Sequence, residues 1–172
     1  GKIDLPSMDL IHPIIPSPRL FFYRERLELA VAPIENRMDI GLRARSGMRT
    51  RALPSIVPIT GCHLFDESGN RLIGSARKIL WSLTFPPSSL SPGQTIGHVV
   101  LRASKTGNGL MVVGRTTARF RQQFTSLLTR LSEETPGMAC VLAEEKGPVS
   151  RYTGPARFEY LAGDPFLTHR LC

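Results

Sequence analysis

Residues 96 to 132 leave a chain of this kind few folds to choose from. Over Ile96–Ser104, Val99, Leu101 and Ala103 alternate with His98, Val100 and Arg102, which is the period of a half-buried strand. The next five residues, Lys105 to Gly109, read KTGNG. Their Asn-Gly pair supplies the positive φ angles of a tight hairpin. Leu110–Thr117 is then the returning strand, and Thr117 caps a helix over Ala118–Ser132. Phe120, Phe124, Leu127, Leu128 and Leu131 recur at helical spacing and form one apolar stripe. A hairpin followed at once by an amphipathic helix buries both apolar faces only if the helix lies across the sheet. The glycines of Gly107–Gly114 are not a phosphate loop, because such a loop opens a helix and this one opens a strand.

The rest of the chain repeats that rhythm. Residues 1–19 hold Pro6, Pro13, Pro16 and Pro18 and read as an extended lead-in or linker. In Phe21–Val31, Phe21, Tyr23, Leu27, Leu29 and Val31 share one face, interrupted by Glu25, while Arg24, Arg26 and Glu28 share the other. Pro33 and Asn36 mark a turn, and a second strand runs from Met38 to Arg45. Ala52–Thr60 is a short edge strand broken by Pro54 and Pro58. Leu72, Ala76, Ile79, Leu80 and Leu83 give the first helix, capped by Ser68 or Asn70, with Arg71, Arg77 and Lys78 facing outward and Pro86–Pro87 as its stop. In the second helix Arg119, Arg121 and Arg130 face outward. Met138–Glu144 is nearly all apolar and suits a central strand. Arg151–Thr153 and Arg157–Leu161 form a last hairpin. The expected fold is α+β, a largely antiparallel sheet with two helices packed on one face. Residues 20–162 make one domain, and 163–172 form a tail.

Charge narrows the partner. The formal net charge is +8, with 18 Arg against 4 Lys. Arginine grips phosphate through a planar fork and stacks on bases, although a GC-rich genome also enriches it. The run Arg37–Arg51 carries five arginines and one acid, Asp39. A half-buried sheet bearing Arg24, Arg26, Arg43, Arg45, Arg49 and Arg51 is a platform for phosphates, or else a plain solvated basic face. No apolar run approaches membrane-spanning length and no secretory leader is visible. Three cysteines, Cys62, Cys140 and Cys172, do not make a disulfide framework, so a reducing cytoplasm is expected.

Catalytic groups are scarce. The chain has no nucleophile elbow, no metal-protease helix and no P-loop. His12, His63, His98 and His169 lack ligand spacing, and His98 on a strand reads as structural. Glu144 and Glu145, adjacent on a strand, point to opposite faces. Cys140 reads as a buried, inert thiol. Cys62 sits between Gly61 and His63 and alone cannot hold a metal.

Several segments then occur in a telling order: Ser17–Arg24 with its SP-x-x-x-x-YR start, IGLRARS at Ile40–Ser46, ITGC at Ile59–Cys62 before a helix, and Gly97–Val113. Together they resemble the central region of the S-adenosylmethionine-dependent RNA 5-methyluridine methyltransferases, over roughly residues 14–161. That resemblance implies a domain that cradles folded rRNA or tRNA between an OB-type domain and a Rossmann-like catalytic domain. It implies that Cys62 matches one ligand of a four-iron four-sulfur cluster carried by many members, whose other three cysteines lie upstream. It implies that the nucleophile, the base and the S-adenosylmethionine loops all belong to the catalytic domain. Cys172 lacks the surrounding motif and is not the nucleophile. Glu25 replaces a small or amide-polar residue and needs a partner. The chain by itself is therefore expected to hold no cofactor and no catalytic residue, and calorimetry is expected to find no S-adenosylmethionine binding. Its opening on Gly1 rather than Met fits an excised piece. The alternatives are a stand-alone basic nucleic-acid-binding or assembly module without chemistry, and a small enzyme with an unfamiliar site.

Overall fold

The alternating pattern of the opening strand becomes β1, Arg26–Ile34, whose Leu27, Leu29 and Val31 are buried. A computed structural model describes residues 14, 16, 18–44, 56–86, 94–104, 109–145, 157–164 and 167. β1 starts later than the sequence pattern predicts. Phe21 and Tyr23 precede it and are 59% and 41% exposed. Glu25 precedes it too, so this acid does not interrupt the apolar face, and its carbonyl accepts from the Ala103 amide at 3.0 Å. Pro33 lies inside the strand rather than in the turn, opposite Met38. It stands past Val31, the last residue of β1 paired across the sheet's other side, so its missing N–H costs no ladder bond. Glu35 and Asn36 form the turn, with Glu35 at φ +54°.

β2 follows over Arg37–Arg43 and β3 over Ile56–Pro58, the expected short edge strand. The first helix, α1, spans Glu67–Ser82. Its cap is Asp66, not Ser68 or Asn70: the Asp66 carboxylate accepts from the Ser68 amide at 2.9 Å. Leu83 is extended, so the helix ends before Pro86. β4 is Gly97–Ala103 and β5 is Leu110–Thr117; β5 alternates in burial, whereas in β4 His98 and Val100 are buried as well and only Arg102 of the predicted outer set is exposed. The Thr117 side chain makes no capping bond, and one turn of 3-10 helix, Ala118–Phe120, comes before α2, Arg121–Glu134. β6 is Ala139–Glu145 and β7 is Arg157–Ala162. Residues 105–108 of the KTGNG hairpin tip and the first arm of the predicted last hairpin lie outside the described residues.

Among the described residues seven strands form one sheet in the order β3-β2-β1-β4-β5-β6-β7. Every neighbouring pair is antiparallel except β5–β6, which is parallel because α2 carries the chain back across the sheet between them. Both helices lie on one face. Leu72, Ile73, Ala76, Ile79 and Leu80 of α1 and Phe124, Leu127, Leu128 and Leu131 of α2 join Leu29, Val31, Met38, Ile40, Val99, Leu101, Val112 and Leu142 in one core. The predicted aromatic stripe is thus spent on packing. Gly97 and Gly114 let α2 approach closely: a Cβ at Gly97 would run into Phe124, and one at Gly114 would press tightly on Leu128 and Phe124. The fold is α+β, as the sequence pattern implies.

Two outward-facing expectations fail. Arg77 does not face solvent: its Nε donates to Asp39 Oδ1 at 2.7 Å and its Nη2 to the Ile40 carbonyl at 3.4 Å. β3 covers only Gly41–Arg43 of β2, so Ile40 lies on an unpaired stretch of edge. Its amide donates to Asp39 Oδ1 at 2.7 Å, and Arg77 from α1 closes that edge. Arg121 is only partly turned to solvent, with 33% of its side chain exposed. It bridges Glu144 and Glu159 on the helix side of β6 and β7. Cys140 is fully buried, and burial pushes its thiol up to about 11.

Candidate nucleic-acid interface

With both helices on one face, the alternate residues of each strand present a second face that neither helix covers. The registers define it row by row. Phe158, Ala143, Arg115, His98 and Ala30 stand side by side across β7, β6, β5, β4 and β1. Tyr160, Val141, Val113, Val100 and Glu28 form the next row, with Arg102 beside Arg26 in the one after.

At its centre is an interlocked set of charges. Arg43 Nη2 lies 2.8 Å from His98 Nε2. A guanidinium has no acceptor, so Nε2 accepts and the ring is neutral with its hydrogen on Nδ1. That nitrogen faces Glu28 Oε1 at 3.4 Å, short of a well-formed hydrogen bond. Burial first and then Arg43 hold the His98 pKa down to about 4, against an upward pull from Glu28 that exceeds the further downward push of Arg115. Glu28 Oε2 accepts from Arg26 at 2.6 Å, and its Oε1 lies 3.5 Å from Arg115. Arg115 is anchored more tightly on Glu145, with Nη2 and Nε at 2.6 and 2.8 Å from Oε1. Glu144 is used on the other side of the sheet, so the adjacent pair divides between faces as expected. With His98 neutral, Arg26, Arg43, Arg102 and Arg115 outweigh Glu28 and Glu145, leaving the face positive. Arg102 is exposed and has no ion-pair partner among the described residues.

Of the six arginines expected to bind RNA, Arg26 and Arg43 stand on this face. Arg24 is exposed but lies ahead of β1, in a bridge to Phe65, with its guanidinium 6.0 Å from the Tyr23 ring centroid. Arg45, Arg49 and Arg51 lie outside the described residues. The sequence reading missed Arg102 and Arg115. Arg102 occupies the non-apolar parity of a strand whose alternation was already recognised; Arg115 lies in the returning strand, to which no parity was assigned. His98 is structural, as expected, but it sits inside the charged network rather than apart from it.

Cys62 lies in the loop before α1. Asn70 fixes that loop: its Oδ1 accepts from the Cys62 amide at 2.7 Å and its Nδ2 donates to the Cys62 carbonyl at 3.0 Å. Among the described residues no three His, Cys, Asp or Glu side chains come together as metal ligands. Cys140 is walled into the core, so the cysteines of this chain do not by themselves fit a four-cysteine cluster. A groove of about 390 Å³ lies between the start of α1 and the end of α2, with Arg71 and Glu134 in its wall and neither histidine nor cysteine among the described residues of its lining.

No protein-family pattern matches the chain, and no curated protein matches it in sequence. Among solved structures, the fold is similar to that of the Pyrococcus abyssi tRNA (uracil-54, C5)-methyltransferase, whose crystal structure is a complex with S-adenosyl-L-homocysteine. The TM-score is 0.62 at 20% identity, over 92% of this chain and 35% of that one. The chain therefore spans about a third of that enzyme's length, and the likeness is one of fold.

Proposed function

We propose that this chain is an RNA-binding central domain of an S-adenosylmethionine-dependent methyltransferase acting on carbon 5 of uridine in tRNA or rRNA. The observation that carries the reading is the gathering of Arg26, Arg43, Arg102 and Arg115 on the helix-free sheet face of a fold like that of a tRNA uracil-C5 methyltransferase. Motif order in the sequence supports it independently. In this reading the domain supplies positive charge and shape, while methyl transfer belongs to a flanking Rossmann-like domain and an OB-type domain adds further RNA contacts. S-adenosylmethionine supplies the methyl group when bound there. Cys62 is then the one cluster-ligand position within this chain, the others coming from sequence upstream.

The chemistry of the face suits the task. Arginines held by Glu28, His98 and Glu145 keep their planar forks oriented before RNA arrives, which reduces the entropy lost on binding. Fluorescence anisotropy of labelled tRNA across a series of KCl concentrations tests the reading. Engagement of three arginines on phosphates lowers log K against log salt with a slope of about −2 to −3. A flat dependence, or no binding at low salt, contradicts it.

A further inference from the structure

β7 ends the helix-free face with two aromatic rings that core packing does not explain. Phe158 is 66% exposed and Tyr160 42% exposed, although both stand on a sheet face two residues apart. Their neighbours on β6 are Ala143 and Val141. Ala143 is too small to reach up beside a ring, so Phe158 stands above a low floor. Beyond that floor the two rows run on into Arg115 and Val113, and then into His98 and Val100. With about 4.8 Å between strands, the arginine of the first row lies roughly 10 Å from the ring at its end.

We infer that Phe158 and Tyr160 are a stacking platform for unpaired RNA bases, whose phosphates run toward Arg115 and Arg102. The inference rests on the RNA-binding reading above and adds to it the kind of RNA: single-stranded or unstacked nucleotides rather than regular duplex. Any base offers a π-face to an exposed ring, whereas bases inside a duplex are stacked on each other and withheld. Charge complementarity favours RNA over an apolar protein occupant, because the same face carries the arginines. Phe158 and Tyr160 stand at alternate positions of one strand, about 7 Å apart along it, a spacing that suits consecutive splayed bases.

The test compares a fluorescein-labelled twelve-nucleotide oligouridine with an RNA duplex of equal length, using the full chain. Phe158→Ala and Tyr160→Ala remove exposed rings, and the melting temperature of each variant checks the fold. Each is expected to weaken oligouridine binding about five- to a hundred-fold with the salt slope unchanged, Tyr160→Phe to bind like the parent, and duplex binding to change little. A 4-thiouridine oligonucleotide is expected to crosslink to the β7 segment. If both alanine variants bind oligouridine like the parent while Arg102→Ala weakens it, the stacking platform falls and the RNA-binding reading stands. If the parent binds neither RNA, both fall. If the variants instead shift the oligomeric state or lose the two RNAs equally, the face is a protein interface or a duplex reader, and the inference is overturned.

Discussion

Burial, aided by an arginine nitrogen 2.8 Å from Nε2, keeps the His98 ring neutral, and the consequence is thermodynamic. The folded chain holds the His98 pKa near 4, while the unfolded chain lets it return toward 6.5. The unfolded state therefore binds the proton more readily between those values. Stability from this group is complete above pH 6.5 and is lost as pH falls from 6.5 to about 4. The loss amounts to about 3 kcal/mol at most. Urea unfolding at stepped pH is expected to show that decline, and His98→Gln, which keeps an acceptor for Arg43, to flatten it. An unchanged decline in the variant assigns it to other groups. The sequence marks His98 as a strand residue on the non-apolar parity. It does not mark Arg43 as its partner, because the two are 55 residues apart and meet only through the sheet order β2-β1-β4.

The same limit operates between elements. A helical wheel places Arg77 outside the apolar stripe of α1, which is correct, yet it does not say that this flank overlooks a bare strand edge. Because β3 pairs with only three residues of β2, Asp39 and Ile40 have an open side, and Arg77 fills it with 14% of its side chain exposed against 8% for Asp39. Arg77→Ala leaves the Asp39 carboxylate buried without its cation and is expected to cost about 3 kcal/mol in chemical denaturation, far more than an exposed arginine such as Arg71. An equal, small cost for both would refute the edge-closing role. The apolar periods themselves were legible, since Leu72–Leu80 and Phe120–Leu131 all reach the core. The first strand was drawn too long because Phe21 and Tyr23 continue its parity without being buried, and parity carries no information about where a neighbouring strand stops.

On the scale of the whole molecule, the division of labour between the two faces matters most. One face spends its apolar residues on two helices; the other carries a small buried cluster around Ala30, Ala32 and Ile56, together with arginines, two carboxylates, a neutral histidine and exposed aromatics. The α+β class and the helices on one side follow from hairpin spacing and stripe length. Which arginines share a face does not follow, because it depends on a strand order that places β4 against β1 and makes β5–β6 parallel. The account's central claim is that the helix-free face is the RNA face. Two double variants of the full chain test it most directly by anisotropy with labelled tRNA over a KCl series: Arg26→Ala with Arg102→Ala on that face, and Arg71→Ala with Arg130→Ala on the exposed sides of the helices. The account predicts that the first pair weakens binding and makes the salt slope shallower by about 1.5 to 2, while the second pair leaves both nearly unchanged. Loss of affinity and slope in the helix-side pair, with the sheet-side pair binding like the parent, would contradict it.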